Sequence, residues 1–120
     1  MITRKSCRYT VEYGGSFAGE EMTAQGVILD LSSEGCRART ALTFTKGEYL
    51  RVLIDVPRYE KPLHVPLAVI RWANGNDFGV EFIQMEPGDQ HRLRELIRVT
   101  AAATALSSHK TLETERHGTP

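Results

Sequence analysis

The fold class of this 120-residue chain is decided by the stretch Tyr49-Leu50-Arg51-Val52-Leu53-Ile54-Asp55-Val56. Leu50, Val52, Ile54 and Val56 fall at every second position, whereas the charged residues Arg51 and Asp55 lie between them. Because side chains two residues apart share one face of a strand, this alternation is typical of a β-strand with one face in a core. The stretch therefore predicts a half-buried strand and directs attention to similar runs on either side of it.

Five further runs share its richness in β-branched and aromatic residues. The six predicted strands are Arg8 to Tyr13, Gln25 to Ser32, Cys36 to Thr40, Tyr49 to Val56, Leu63 to Trp72 and Phe78 to Met85. Residues 67–70 are apolar at every position, which indicates a strand covered on both faces. Turns rich in glycine and asparagine, such as Gly14-Gly15, are predicted between the runs. This pattern predicts a mainly β protein, a barrel or a sandwich rather than a βαβ fold.

One helix is predicted near the end of the chain. Glu86-Pro87-Gly88-Asp89 has the composition of a turn and helix cap, and Leu93, Leu96 and Ile97 then recur at helical spacing. From residue 107 the composition becomes polar, and the chain ends in Gly118-Thr119-Pro120. We therefore expect a disordered tail over residues 107–120.

Composition and charge exclude several classes of protein. Fifteen Lys and Arg residues balance fifteen Asp and Glu residues, so no bulk field attracts duplex nucleic acid or an anionic membrane. No apolar run approaches the roughly 18 residues of a membrane span, and the first residues lack the apolar stretch of a signal peptide. Cys7 and Cys36 are too few for a disulfide scaffold, and small apolar filler is the expectation for both. The chain is expected to be cytoplasmic.

Signatures of catalysis are missing from the sequence. The four histidines are scattered and share no metal-ligand spacing with the cysteines. The sequence contains no Gly-x-Ser-x-Gly elbow, phosphate-binding P-loop or Gly-x-Gly-x-x-Gly fingerprint. We therefore expect neither an enzyme nor a bound metal or cofactor.

Two short motifs carry more information. The first is Arg4-x-x-x-Arg8, which with Lys5 gives the N-terminal arm a charge of +3. The second is Asp30-Leu31-Ser32-Ser33-Glu34-Gly35, where Asp30 and Ser32 are expected on one face and Gly35 is expected to supply a positive φ and let a ligand approach. Taken singly, the first motif is explained by a solvated leader and the second by a turn that satisfies its own backbone amides.

Together, the two motifs resemble the PilZ domain family, whose pattern is Arg-x-x-x-Arg followed at similar distance by Asp/Asn-x-Ser-x-x-Gly. The similarity continues through Val69-Ile70-Arg71-Trp72, Gly79-Val80-Glu81-Phe82 and the helix, and covers roughly residues 4–100. The resemblance implies a six-stranded antiparallel β-barrel with a C-terminal α-helix. It divides the chain into a PilZ domain over residues 1–106, with a flexible arm at 1–8, a barrel at 9–85 and a helix at 87–106, before the polar tail.

PilZ domains are bacterial receptors for the second messenger cyclic di-GMP, and the resemblance implies the same ligand here. The residues that it implicates are Arg4, Arg8, Asp30, Ser32, Gly35 and Trp72. Arginine can donate to guanine O6 and N7 together, form two hydrogen bonds to a phosphate or stack on a base. The resemblance assigns these roles to Arg4 and Arg8. Asp30 would accept hydrogen bonds from guanine N1 and N2, and Ser32 would add a hydroxyl contact. For Trp72, stacking on a guanine and packing on the barrel are both open.

The function that follows is that of a stand-alone cyclic di-GMP receptor in which the ligand draws the arm onto the barrel for an unknown downstream partner. One alternative is a PilZ-like protein-interaction module that does not bind nucleotide. A second is a small barrel that binds single-stranded nucleic acid, which zero net charge and a single tryptophan disfavour. The three other arginines near the motifs, Arg37, Arg39 and Arg71, are expected to be surface residues. Thr3 stands where some family members have a further arginine, so the number of ligands bound is left open.

Overall fold

The computed structural model describes residues 8–118, with side chains described as far as residue 103. Over these residues six antiparallel strands form a closed barrel and one helix follows them, so the predicted mainly β fold, a six-stranded antiparallel barrel with a C-terminal helix, is confirmed. The elements are β1 (Tyr9–Ala18), β2 (Thr23–Leu31), β3 (Gly35–Thr40), β4 (Tyr49–Asp55), β5 (Leu63–Asn74), β6 (Asp77–Gln84) and α1 (Pro87–Gly118).

The strands follow the order β1-β2-β3-β6-β5-β4 around the barrel, which closes where β1 pairs with β4. Inward-facing apolar side chains from every strand fill the interior, as the alternation in β4 predicts. Phe78 lies at the centre of this core, where it makes edge-on contacts with Phe17 and Phe44 at 5.2 Å between ring centroids. A closed barrel leaves no unpaired sheet edge, so the outer face is the surface on which polar side chains are displayed.

The prediction that Gly14-Gly15 forms a turn is wrong, because both residues lie inside β1. This strand continues to Ala18 and pairs with β2 on one side and β4 on the other. A Cβ atom at Gly15 would lie 3.0 Å from side-chain atoms of Ile28 and Phe17. The glycine therefore makes room for the core instead of reversing the chain.

Helix α1 packs against β1 and β5 and adds Leu93 and Leu96 to the buried core. Its second turn is tied to the segment before β5, because Arg92 donates to the Lys61 and Pro62 carbonyl oxygens and lies over the Tyr59 ring. The helical backbone continues to Gly118, whereas the sequence predicts an end near residue 106 and a disordered tail. Within residues 8–118, no helix is long and apolar enough to cross a membrane.

Candidate functional site

The turn between β2 and β3 is closed by Ser32. Its backbone N–H donates to the Gly35 carbonyl oxygen at 2.9 Å, and its Oγ accepts from the Glu34 and Gly35 N–H groups, both at 3.1 Å. The side chain is buried, with 2% of the residue exposed. Asp30 and Ser32 therefore do not share an outer face, because β2 ends at Leu31 and the two-residue strand period stops there. The direct contact of the Ser32 hydroxyl with a ligand stays a prediction.

Gly35 is required for a reason that differs from the expected one. Its φ is not in the left-handed region, so the expected positive φ is wrong. A Cβ atom at this position would instead overlap the Val80 carbonyl oxygen of β6. The glycine thus permits the close approach of β3 to β6 directly after the turn.

Asp30 faces outward from β2, and its carboxylate is surrounded by donors. Oδ1 accepts from Nη1 of Arg8 at 3.0 Å and from the backbone N–H of Arg37 at 3.2 Å. Oδ2 accepts from Nε of Arg37 at 3.2 Å. Arg8, the second arginine of the first motif, thus contacts Asp30, the first residue of the second motif, where β1 and β2 pair. The Asp30 side chain is 17% exposed.

A chain of alternating charges continues from Asp30 across the outside of the barrel. Arg37 Nη1 lies 3.5 Å from Asp77 Oδ2. Asp77 in turn accepts from Nε and Nη2 of Arg39 at 2.6 and 3.2 Å, and these hydrogen bonds hold the pKa of the Asp77 carboxyl below its ordinary value. We call Arg8, Asp30, Arg37, Asp77 and Arg39 the outer charge row. Its three cations and two anions give a local surplus of one positive charge on a neutral chain.

Trp72 lies on the same outer face as Asp30. The strand registers place Asp30 opposite Arg37, Arg37 opposite Gly79, and Gly79 opposite Trp72. The indole extends over Gly79, where an added Cβ would overlap Nε1, and 39% of Trp72 is exposed. With neighbouring strands about 4.8 Å apart, three steps separate the carboxylate strand from the indole strand by about 14 Å. Arg37 lies between the carboxylate and the indole, and the buried backbone of Gly79 lies beneath the indole.

Three other predicted positions have different outcomes. Arg4 and Cys7 lie outside the described residues. Cys36 is fully buried beneath the turn, as expected for a small apolar filler, and burial raises the pKa of its thiol to about 12. It is therefore a protonated core residue.

Arg37 and Asp77 are the residues that the sequence analysis missed. Arg37 was expected to be an ordinary surface residue, and Asp77 was not singled out. A signal for Arg37 was available, because it follows the Ser32–Gly35 turn at the distance that sets it opposite Asp30 in an antiparallel hairpin. Asp77 carries no such local signal, since it reaches Arg37 only through the pairing of β3 with β6.

Comparisons with known proteins agree with this architecture. The family model described as PilZ domain matches residues 2–99. A comparison with curated protein sequences gives no match.

Similar folds occur among solved structures. The Bacillus subtilis inhibitor of motility (MotI/DgrA) is 20% identical with a TM-score of 0.70 over 86% of this chain and 53% of that one, so this chain spans about half of its length. The PilZ domain of Escherichia coli YcgR, solved with c-di-GMP, is 14% identical with a TM-score of 0.70 over 91% of this chain and 99% of that one. The PilZ domain of CeSA from a cellulose-synthesizing bacterium is 14% identical with a TM-score of 0.62 over 76% of this chain and 94% of that one.

Proposed function

This chain belongs to the PilZ domain family, and we propose that it binds cyclic di-GMP on the barrel face that carries Arg8, Asp30 and Trp72. The observation that carries the proposal is the meeting of Arg8 with Asp30 at 3.0 Å, in register with an exposed indole on the same face. The E. coli domain of the same fold, solved with c-di-GMP, supports the choice of ligand.

The three side chains offer the chemistry that a guanine dinucleotide requires. A carboxylate accepts from guanine N1–H and N2–H, an arginine donates to the Hoogsteen edge or to a phosphate, and an indole stacks on the base. The indole lies over the buried Gly79 on the face that leads to Asp30, and 39% of Trp72 is exposed. Arg4 enters the proposal through its spacing from Arg8, as the second arginine of the motif.

Binding requires an exchange of partners at Asp30. Its carboxylate already accepts three hydrogen bonds, one of them from Arg8, so a guanine edge with two donors needs at least one acceptor direction released. Arg8 is the contact that can leave, because its side chain is half exposed and it precedes β1. In the proposal, Arg8 leaves Asp30 for the ligand and carries the arm with it.

Signal relay follows from this movement. In the proposal, Arg8 changes partners when the ligand binds, and the ligand with the arm drawn onto the barrel then forms the surface that a downstream partner recognises. Ser32 and Gly35 support the site by fixing the turn that follows Asp30. The ligand is bound and released unchanged, as in a receptor module and not an enzyme.

Calorimetric titration of the full chain with cyclic di-GMP tests the proposal. Arg8→Ala is expected to weaken binding by about 1.5–3 kcal/mol, the effect of losing hydrogen bonds to charged groups. The matched control is Arg71→Ala, which removes an exposed arginine paired with Glu81 on β5 and β6. The melting temperature of Arg8→Ala is expected to change little, because an ion pair this exposed contributes at most about 1 kcal/mol.

Three results would contradict the proposal. A folded wild-type chain that gives no binding heat with cyclic di-GMP would favour the protein-interaction module, and binding of a single-stranded oligonucleotide instead would favour the nucleic-acid barrel. Equal affinities of wild type and Arg8→Ala would place the ligand elsewhere.

A second experiment removes residues 1–8. Because β1 begins at Tyr9, the shortened chain retains every strand of the barrel and is expected to fold. It is also expected to lose binding, since both motif arginines are gone. In the full chain, amide exchange from residue 2 to residue 9 is expected to slow when cyclic di-GMP is added. A shortened barrel that binds normally would show that the arm takes no part.

A further inference from the structure

Arg37 and Asp77 lie outside both motifs, yet they are linked to the carboxylate that would read guanine. We infer that these two residues are positioning residues that set the guanine selectivity of the site by fixing the orientation of the Asp30 carboxylate. The inference rests on the proposed function and adds to it the part of the molecule that determines selectivity.

Arg37 holds Asp30 through both carboxylate oxygens. Its backbone N–H donates to Oδ1 and its side-chain Nε donates to Oδ2, each at 3.2 Å. Two bonds to two different oxygens define the plane of the carboxylate, which one bond does not. Unlike Arg8, Arg37 sits within the hairpin directly opposite Asp30, so its contacts persist when the arm moves.

The Arg37 side chain is itself held by Asp77. Its guanidinium reaches Asp30 through Nε and approaches Asp77 through Nη1, so one planar group spans two carboxylates on β2 and β6. Asp77 is fixed in turn by two hydrogen bonds from Arg39. A lysine at position 37 keeps the charge but presents a single ammonium group, which cannot reproduce the fork.

The orientation of Asp30 affects bases differently. Guanine presents N1–H and N2–H side by side, and a carboxylate in the plane of the base accepts from both. Hypoxanthine keeps N1–H, O6 and N7 but lacks the N2 amine, so the two bases differ by one donor. A carboxylate turned out of plane loses the second hydrogen bond, and with it the preference for guanine.

A purely electrostatic role makes a different prediction. Removal of the negative charge of Asp77 makes the site more positive. Electrostatics alone therefore predicts tighter binding of any dianionic cyclic dinucleotide. Cyclic di-GMP and its hypoxanthine analogue cyclic di-IMP carry the same charge. The ratio of their affinities therefore cancels the electrostatic effect and leaves the contribution of orientation.

The experiment titrates the full chain with both dinucleotides and compares wild type with Arg37→Lys and Asp77→Asn. Wild type is expected to prefer cyclic di-GMP by about tenfold or more, the value of a hydrogen bond to a charged acceptor. In both variants this ratio is expected to fall by about threefold or more, the effect of one weakened hydrogen bond. The backbone N–H of residue 37 is retained in every variant, so the comparison isolates the side chains.

Glu81→Gln is the matched control, because it removes an outward carboxylate from β6 that pairs with Arg71 outside the outer charge row. Its ratio is expected to equal that of wild type, and melting curves confirm that each variant is folded. An unchanged ratio in both Arg37→Lys and Asp77→Asn would overturn the inference while leaving the proposed function intact. A wild-type chain that binds cyclic di-GMP and cyclic di-IMP equally would also overturn it. Absence of cyclic di-GMP binding by wild type would refute the proposed function and this inference together.

Discussion

The two sides of the β2–β3 hairpin use neighbouring residues for opposite purposes. On the outer side, Asp30 and Arg37 pair with each other. Asp30 also pairs with Arg8, and Arg37 also approaches Asp77 of β6. On the inner side, Ser32, Gly35 and Cys36 are buried and their contacts are with backbone and core. The motif Asp-x-Ser-x-x-Gly therefore joins one residue suited to bind with two residues that shape the turn.

Because of this difference, effects on ligand affinity and effects on folding can be separated within one short motif. Changes on the inner side are expected to lower the free energy of unfolding, and any loss of ligand affinity would follow from that. Changes on the outer side are expected to lower affinity and leave unfolding nearly unaltered. Each of the following variants tests this division between the two sides.

Gly35→Ala is expected to have the largest effect, because the added methyl group overlaps a backbone oxygen of β6 that cannot rotate away. We expect the free energy of unfolding to fall by about 3 kcal/mol, the upper range for overpacking. Chemical denaturation measures it, and Gly88→Ala, where an added Cβ meets open space, is the control. A Gly35→Ala protein as stable as wild type would show that β3 and β6 can separate at the turn.

Asp30→Ala tests the outer side. If cyclic di-GMP binds as proposed, loss of the acceptor is expected to reduce affinity by about 1.5–3 kcal/mol. Asp30→Asn keeps one oxygen for the Arg37 N–H or for the ligand, so it is expected to be tolerated better. Parallel titrations and melting curves decide the outcome. If both variants alter melting but not affinity, Asp30 is a turn residue and the division between the two sides fails.

Ser32→Ala returns to the inner side with a smaller expected effect. The Glu34 and Gly35 N–H groups lose their acceptor in a buried turn, which is expected to cost about 1–2 kcal/mol of unfolding free energy. Ser33→Ala at the adjacent turn position is the comparison. A loss of affinity in a Ser32→Ala protein of unchanged stability would instead support the direct hydroxyl contact that the PilZ resemblance implies.

Cys36 gives a test that depends on pH. Because burial raises the pKa of its thiol from 9.0 to about 12, the folded state keeps the proton that the unfolded state loses above pH 9. The contribution of the protonated Cys36 thiol to the free energy of unfolding is thus fully present below pH 9. It declines as the pH rises, by about 1 kcal/mol between pH 9 and pH 10. Denaturation of wild type and Cys36→Ala over this interval isolates the effect. A parallel pH dependence of the two proteins would show that the thiol is accessible to water in the folded state.

The strands were predictable because alternation and β-propensity are local properties of the sequence. Each of the six strands overlaps a predicted run, and β4 has its apolar residues at every second position as predicted, whereas β1 continues five residues beyond its predicted end. The errors arose where local signals were overridden, as at Gly14-Gly15, where glycine serves core packing inside β1, and at Gly35, where a neighbouring strand imposes the requirement.

Arg8, Asp30 and Trp72 can be identified as candidates for binding a guanine dinucleotide from motif spacing and resemblance, because these are properties of the chain read in order. Which of them share a surface depends on how the strands pair. The β2–β3 turn sets Asp30 opposite Arg37, and Leu29 is an extra residue in β2 on the far side of Asp30 from the turn. The pairing of β6 with β3 and with β5 then aligns Gly79 and Trp72 with them and brings Asp77 to Arg37. Such neighbours depend on strand register and closure, which are set by the packing of the whole core, so no local stretch of sequence encodes them.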